Sequence, residues 1–478
     1  MPGLQGVPLF GRTDPMDYIA NLPPTHVLQE KDAAHHLHPF TDTKSLNAKG
    51  TRVITRADGV YLWDSEGNKI LDGMAGLWCV NVGYGRKEII EAVHRQMQQL
   101  PYYNTFFQSS HPPAIALAER ISNLAPDHLD HVFFAGSGSE ANDTVVRMVR
   151  HYWASEGKPT KKTIISRHNA YHGSTMAGAS LGGMSAMHAQ GGLPISDITH
   201  INQPYWYGEG GEMDPAEFGL MRARELEAEI DRLGEDNVAA FIGEPIQGAG
   251  GVVIPPETYW PEIQRICRER NILLIADEVI CGFGRTGNWF GSQTFNFKPD
   301  LMPIAKGLSS GYLPIGAVVV SEKVAKGFIE HGGEFYHGFT YSAHPAACAA
   351  ALANLDIIEN ERLPEKVAND TGPYLAEKWK ALGEHPLVGE ARICGLVGAL
   401  ELSPDKARRA RFEAEKGTVG TICRDHCFES GLVMRHVGDS MIISPPLVIS
   451  RSEVDELIEK AHRALDLTAA DVTAQGIK

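Results

Sequence analysis

No run of about 20 apolar residues occurs in this 478-residue chain, so nothing in it reads as a bilayer-spanning helix. Basic charge is not in excess either. Against 59 Asp and Glu stand 44 Lys and Arg, a net charge of −15 that argues against a nucleic-acid partner and for a well-dispersed soluble protein. Cysteine is sparse: the seven residues are scattered, odd in number and mostly in apolar company, which fits reduced thiols and not a disulfide framework. Internal repeats, low-complexity tracts and long linkers are missing. The opening stretch MPGLQGVPLFGRTDPMDY lacks the basic-then-apolar order of a secretory leader, so a cytoplasmic protein is expected.

Metal-ligand patterns are thin. Cys423 and Cys427, with His426 between them, supply too few ligands for a closed zinc site. His35, His36 and His38 lie beside Pro39 with no evident carboxylate or cysteine arrangement, and read as packing or surface. No metal is expected.

Residues 1 to about 50 look irregular, and GVYLWDSEGNKILDG (59–73) carries a hairpin pattern around its Ser-Glu-Gly-Asn turn. From about Glu88, helix-like stretches alternate with continuous apolar runs: HVFFAG, KTIISRH, AAFIGEPI and ILLIADEVI. Such alternation predicts an α/β domain with a mostly parallel sheet covered on both faces. Past Pro345 a long helix and short strands such as GLVGALEL and SMIISPP predict a smaller α+β domain. The expected division is 1–85 as the N-terminal segment of the small domain and lid, 86–345 as the large domain, and 346–478 as the C-terminal small domain.

Chemistry concentrates in three places. In FFAGSGSEANDTVVRMVRHYW (133–153) a strand, a Gly-Ser loop and a helix follow one another. There Ser137, Gly138 and Ser139 offer backbone N–H groups and a hydroxyl to an anion at a helix N-terminus, or an ordinary N-cap. In ILLIADEVICGFGRTG (272–287), Asp277 follows an apolar strand at the end where open α/β sheets hold ligands. The tail Gly282–Gly287 fits the dinucleotide pattern GxGxxG, but no helix-forming run follows it, so a nicotinamide oxidoreductase is the weaker reading. In KPDLMPIAKGLSSGYLPIGAV (298–318), Lys306 interrupts an apolar run; it either caps the surface end of a strand or uses its amine for chemistry. A phosphate cradle, a strand-end aspartate and a lysine in apolar company together suit pyridoxal phosphate (PLP).

The blocks GMAGLWCVNVGYG, GSGSEAN, YHGST, EPIQGAGG, DEVICGFGRTG, PIAKGL, GFTYSAHP and MRHVGDSMIISPP run in order between about residues 30 and 455. They resemble the class III aminotransferases of PLP fold type I, and most closely the ω-transaminase or amine:pyruvate branch. The resemblance implies Lys306 as the Schiff-base and proton-shuttling lysine and Asp277 as partner of the pyridine nitrogen. It implies Gly138 and Ser139 at the phosphate, Glu244 in the cofactor site, Tyr171 stacked on the ring and Val279 on its other face. Thr340 resembles a residue that reaches the cofactor of a neighbouring subunit, implying a homodimer with shared sites, or a tetramer.

By the same resemblance, Arg435 is a mobile arginine that meets the carboxylate of a keto acid and withdraws for an apolar amine. Phe40, Leu77, Trp78, Phe106 and Tyr171 would line the donor pocket, with Phe40 as a lid residue. Ala249 stands where ornithine and 4-aminobutyrate aminotransferases carry a glutamate, and Ile280 where they carry a glutamine. Both differences favour the amine:pyruvate branch: an amine donor, pyruvate as acceptor, PLP as cofactor. Rival readings within PLP chemistry are a taurine- or β-alanine-specific transaminase and an aminomutase or decarboxylase on the same fold; one from another class is a catalytically silent PLP-binding protein.

Overall fold

The computed structural model describes residues 22–477. The opening stretch 1–18 read above lies outside the described residues. A seven-stranded sheet dominates, built from β4 (Leu129–Ala135), β5 (Thr163–Arg167), β6 (Ile198–Ile201), β7 (Val238–Gly243), β8 (Leu273–Ala276), β9 (Leu301–Ile304) and β10 (Gly316–Ser321). Its order is β4-β10-β9-β8-β7-β5-β6. Only β10 runs against its neighbours; β5, β6, β7, β8 and β9 pair in parallel.

The strands' composition explains their place. Every residue of β5, β7, β8 and β9 is buried, as continuous apolar runs covered on both faces require. Helix Gly138–Ser155 packs Val145, Val149 and Trp153 into a core with Ile242 and Ile275. On the other face, helix Tyr259–Glu269 sends Tyr259, Trp260 and Ile263 against Phe241 and Leu274. Burial of this kind stabilises by about 25 cal/mol per Å² of apolar surface.

Two smaller sheets flank it. Strands β1 (Ile54–Asp58), β2 (Tyr61–Asp64) and β3 (Lys69–Asp72) form the expected hairpin and its neighbour, and β13 (Leu432–Val433) joins β3 in parallel. The N-terminal segment therefore shares a sheet with the C-terminal one. The third sheet has the order β11-β12-β15-β14, from β11 (Val388–Cys394), β12 (Val397–Leu402), β14 (Arg435–Val437) and β15 (Ser440–Ile443).

The N-terminal 50 residues are less irregular than their sequence suggests, because helices Thr25–His35 and Thr43–Lys49 lie there. Neither has a buried residue, so neither carries the apolar stripe that reveals a helix. The histidines also correct their reading. Asp32, one helical turn before His36, accepts from His36 Nδ1 at 3.0 Å and from His38 Nε2 at 2.8 Å. The Gly282–Gly287 turn opens no helix, as its sequence predicts. Among the described residues no helix is long and apolar enough to cross a membrane.

Candidate active site

Strands β4, β5, β7, β8 and β9 all end at one edge of the central sheet, and a cavity of about 700 Å³ opens there. Each strand delivers chemistry to it. Just after β8 comes Asp277, whose backbone N–H is held by Gly243 O at 3.0 Å. Its side chain is buried and fully engaged. Oδ2 accepts from His172 Nδ1 at 2.7 Å and from Asn142 Nδ2 at 2.9 Å, while Oδ1 accepts from Val279 N at 3.0 Å. Three donors on one buried carboxylate fix its plane.

Lys306 follows β9 on the cavity floor. Its φ of +47° is rare for a residue with a Cβ, and the backbone beyond it is locked by Asn354 Nδ2, which donates to Gly307 O and Leu308 O at 2.8 and 2.9 Å. Burial pushes the Lys306 ammonium below its usual range, with Asp277 opposing the shift. The surface-cap reading fails, since Lys306 Nζ lies 5.8 Å from the Trp78 ring inside the cavity. Gly307 leaves room for a neighbouring side chain: a Cβ there would sit 2.6 Å from Asn81 Nδ2.

After β4, helix Gly138–Ser155 begins with Ser137 Oγ accepting from Glu140 N, and Gly138 and Ser139 line the cavity. A Cβ on Gly138 would meet Val279 Cγ1 and Cγ2 at 3.0 and 3.1 Å. The start of this helix thus borders the cavity at a glycine where even a methyl would crowd Val279. After β5, Tyr171 holds its ring at the cavity, edge-on to Phe40 with centroids 6.4 Å apart. After β7, Glu244 is buried and accepts from Tyr171 N and Gly248 N at 3.1 and 3.0 Å. Burial raises its carboxyl above the usual range, with His172 pulling the other way.

The third sheet adds Arg435 from β14. Its guanidinium lies 5.1 Å from the Trp78 ring, and burial lowers its basicity. Leu77, Ala249, Val279 and Ile280 complete the walls.

Of the residues expected from sequence, the structure gathers Phe40, Leu77, Trp78, Gly138, Ser139, Tyr171, Glu244, Ala249, Asp277, Val279, Lys306 and Arg435 around this one cavity. It places Phe106 and Thr340 elsewhere, close together outside the lining. A Cβ on Gly338 would be 2.7 Å from Phe106 Cζ, and Tyr102 Oη donates to Thr340 O at 2.7 Å. His172 and Asn142 were not anticipated. Asn142 stands one turn beyond Gly138 on the same helix, and that spacing was the available signal.

The model of the aminotransferase class-III family matches residues 44–465. The chain belongs to the class III aminotransferases. Among its relatives, the putrescine–pyruvate aminotransferase of Pseudomonas aeruginosa is 63% identical over 440 residues, covering 92% of this chain and 96% of that protein. The diaminobutyrate–2-oxoglutarate transaminase of Halomonas elongata is 44% identical over 453 residues, 93% of this chain and 95% of that protein. Among solved structures, the ω-transaminase of Pseudomonas jessenii in complex with PMP superposes with a TM-score of 0.91 at 44% identity, covering 93% of this chain and 99% of that one. An (S)-enantioselective ω-transaminase from Thermomicrobium roseum gives the same score and identity over 94% of this chain and all of that one.

The family's cofactor is PLP, and the donor set fits it. The cavity offers a helix N-terminus opened by Gly138 for a phosphate, a buried carboxylate for a ring nitrogen and a lysine of depressed basicity for an aldehyde.

Proposed function

We propose that this aminotransferase moves an amino group from an aliphatic amine to pyruvate, giving an aldehyde or ketone and alanine, with a diamine of the putrescine kind as donor. The observation that carries the reading is the convergence of Lys306, Asp277 and the Gly138–Ser139 helix start on one cavity that also holds Arg435. The relative that is 63% identical bears the name putrescine–pyruvate aminotransferase, which supports the donor and acceptor classes.

When bound, PLP supplies an electron-accepting ring that stabilises negative charge at the donor carbon. The chain's residues supply the rest. Gly138 and Ser139 would hold the phosphate, and Tyr171 and Val279 would flank the ring. Asp277, oriented by His172, Asn142 and Val279 N, would face the ring nitrogen and keep it protonated. Lys306 has a basicity lowered by burial, which favours the free amine. It can therefore attack as a nucleophile and, once displaced, carry a proton from the donor carbon. Trp78, buried in the wall, would pack along the donor's apolar stem, with Leu77 and Phe40 at the cavity's open side.

Arg435 would receive the pyruvate carboxylate. Among the described residues no carboxylate lies within ion-pair distance of it, so an incoming anion meets no competitor. The wall is open on one side: Leu77 lines the cavity yet is 58% exposed, and Phe107, beside Phe106, is 91% exposed. A second copy of the chain covering this face, with its own Phe106 and Thr340 reaching the site, would close it into a homodimer. A cytoplasmic location accords with seven unpaired cysteines.

A panel of amines with pyruvate as acceptor, read as alanine formed, tests this. Alanine from putrescine and related diamines is the expected outcome. No alanine with any amine, from protein whose cofactor can be trapped on Lys306 by borohydride, would sink the transaminase reading while leaving the cofactor site intact.

A further inference from the structure

We propose that Arg392 is a positioning residue: a clamp from the third sheet that holds Val252 in a strained conformation and so fixes Ala249 in the wall of the donor pocket. Arg392 lies on β11, well away from the cavity lining. Its guanidinium nevertheless reaches the loop that follows β7. Nη2 donates to Gly251 O at 2.6 Å and Nε donates to Val252 O at 2.8 Å. These are the carbonyls of the loop's two residues with positive φ, Gly251 at +112° and Val252 at +53°.

For a β-branched residue such a φ is sparsely populated, and it persists only where the surroundings over-determine it. Two parallel N–H donors of one planar fork are suited to that task, because they fix direction as well as distance. The fork is itself held. Nη1 meets Glu390 Oε2 at 2.7 Å and Glu401 Oε2 at 3.0 Å, and Ser440 Oγ donates to Glu401 Oε2 at 2.6 Å. Glu390, Glu401 and Ser440 form one cross-strand row, and the register continues to Val437 on β14, the strand of Arg435. Tyr205 places its ring 5.2 Å from the Arg392 guanidinium on the remaining side.

The loop's other anchors are Glu244, just past β7, and the loop's own backbone. Glu244 Oε2 accepts from Gly248 N, and Gln247 and Val253 exchange backbone bonds of 3.1 and 3.0 Å. Ala249 lies between the two sets of anchors and lines the cavity. Without Arg392 the carbonyls of Gly251 and Val252 lose their side-chain donors. The turn is then left to the bonds from Gly251 N and Val252 N to Gly248 O at 3.1 and 3.0 Å, so Ala249 within it shifts more easily. The specificity-determining wall and the strand of Arg435 are thereby joined through one largely buried cation. This assignment rests on the proposed function, with the donor seated against the cavity wall that Ala249 lines.

Arg392→Met and the milder Arg392→Lys, each alone and with Val252→Gly, test it. The two half-reactions are followed separately in single turnovers. Arg392→Met should lower the specificity constant for a diamine about tenfold, as loss of charged hydrogen bonds would, with less than about threefold lost for the shorter pyruvate. Arg392→Lys, which keeps charge but not the fork, should fall between. Val252→Gly removes the strain, so adding Arg392→Met to it should cost no more than about twofold further. Amide exchange over residues 248–253, read without turnover, should quicken in Arg392→Met whatever the substrate proves to be. Equal losses in both half-reactions, a full loss retained in the Val252→Gly background, or unchanged exchange in the loop would each overturn the clamp. Failure of all amines in the wild type, with exchange quickened as stated, would strike the donor reading alone.

Discussion

Asp277 Oδ2 and His172 Nδ1 lie 2.7 Å apart with both side chains buried, and Asn142 donates to the same oxygen at 2.9 Å. A buried carboxylate at the cavity is thus held by two donors on two different chain segments. Removing its charge should cost far more than removing one of its supports. Asp277→Asn is expected to lower turnover by about a hundredfold or more, as loss of a preorganised charge does. Asn142→Ala should lower it by about tenfold. Single-turnover rates with one amine separate the two, and similar losses would contradict the ranking.

Lys306 gives a stability prediction with a definite sign. Burial lowers its ammonium from the usual 10.5, so in the cofactor-stripped protein the unfolded chain binds the proton more readily. The resulting penalty is absent above pH 10.5 and grows as pH falls from there toward the folded value. Lys306→Met should therefore be more stable than the cofactor-stripped wild type at neutral pH, with the gap closing as pH approaches 10.5. Thermal midpoints across that range measure it. The same variant should lose turnover altogether.

Much of this site was legible in the sequence because its parts sit at strand ends, and apolar runs mark strands. Asp277 and Lys306 each follow a buried strand, and Gly138 opens the helix after another. Long-range pairing was not legible. Nothing in the sequence joins Arg392 to Val252 across 140 residues. Nothing there sets Asn354 against the Lys306 turn. The helix Thr25–His35 was missed because it buries nothing, and the pairing of Asp32 with His36 was missed with it. Phe106 and Thr340 show a further limit, since a resemblance can name residues whose place in one chain lies outside that chain's own cavity.

The carboxylate role proposed for Arg435 is open to a direct test, and its surroundings decide which change reveals it. It faces Trp78 and no carboxylate among the described residues. Arg435→Ala should weaken the pyruvate half-reaction by about 2–4 kcal/mol, the cost of one charge-assisted bidentate contact. An apolar amine without a carboxylate should lose much less. Separate half-reaction rates with pyruvate and with an alkyl amine check the difference, and equal losses count against the carboxylate role.

Glu278, next to Asp277, predicts a pH dependence of a different sign from that of an ordinary surface acid. It is buried and accepts from Gly291 N at 2.8 Å and Ser292 N at 2.6 Å, and burial lifts its carboxyl to about 7 despite those bonds. A raised carboxyl stabilises the fold fully below the unfolded value of 4.5, and that contribution is lost as pH rises through about 7. Glu278→Gln should flatten the fall in stability between those limits, whatever its effect on absolute stability. Denaturant midpoints taken at several pH values in that interval give the slope directly.

Gly138 is where one added methyl should be felt most. Its Cβ would meet Val279 Cγ1 at 3.0 Å and Cγ2 at 3.1 Å, so the helix start and Val279 compete for one space. Gly138→Ala is expected to weaken PLP binding by about tenfold, by pushing the phosphate cradle and Val279 apart. Because the clash is with side-chain carbons and not with backbone, Val279→Ala should remove it. The double variant is then expected to recover most of the lost affinity, although Val279→Ala alone weakens binding by opening the other side of the ring. Fluorescence titration of the cofactor-stripped variants reads all four affinities. Failure of Val279→Ala to rescue Gly138→Ala would mean that the glycine is needed for the approach of the phosphate itself, with its contact to Val279 incidental.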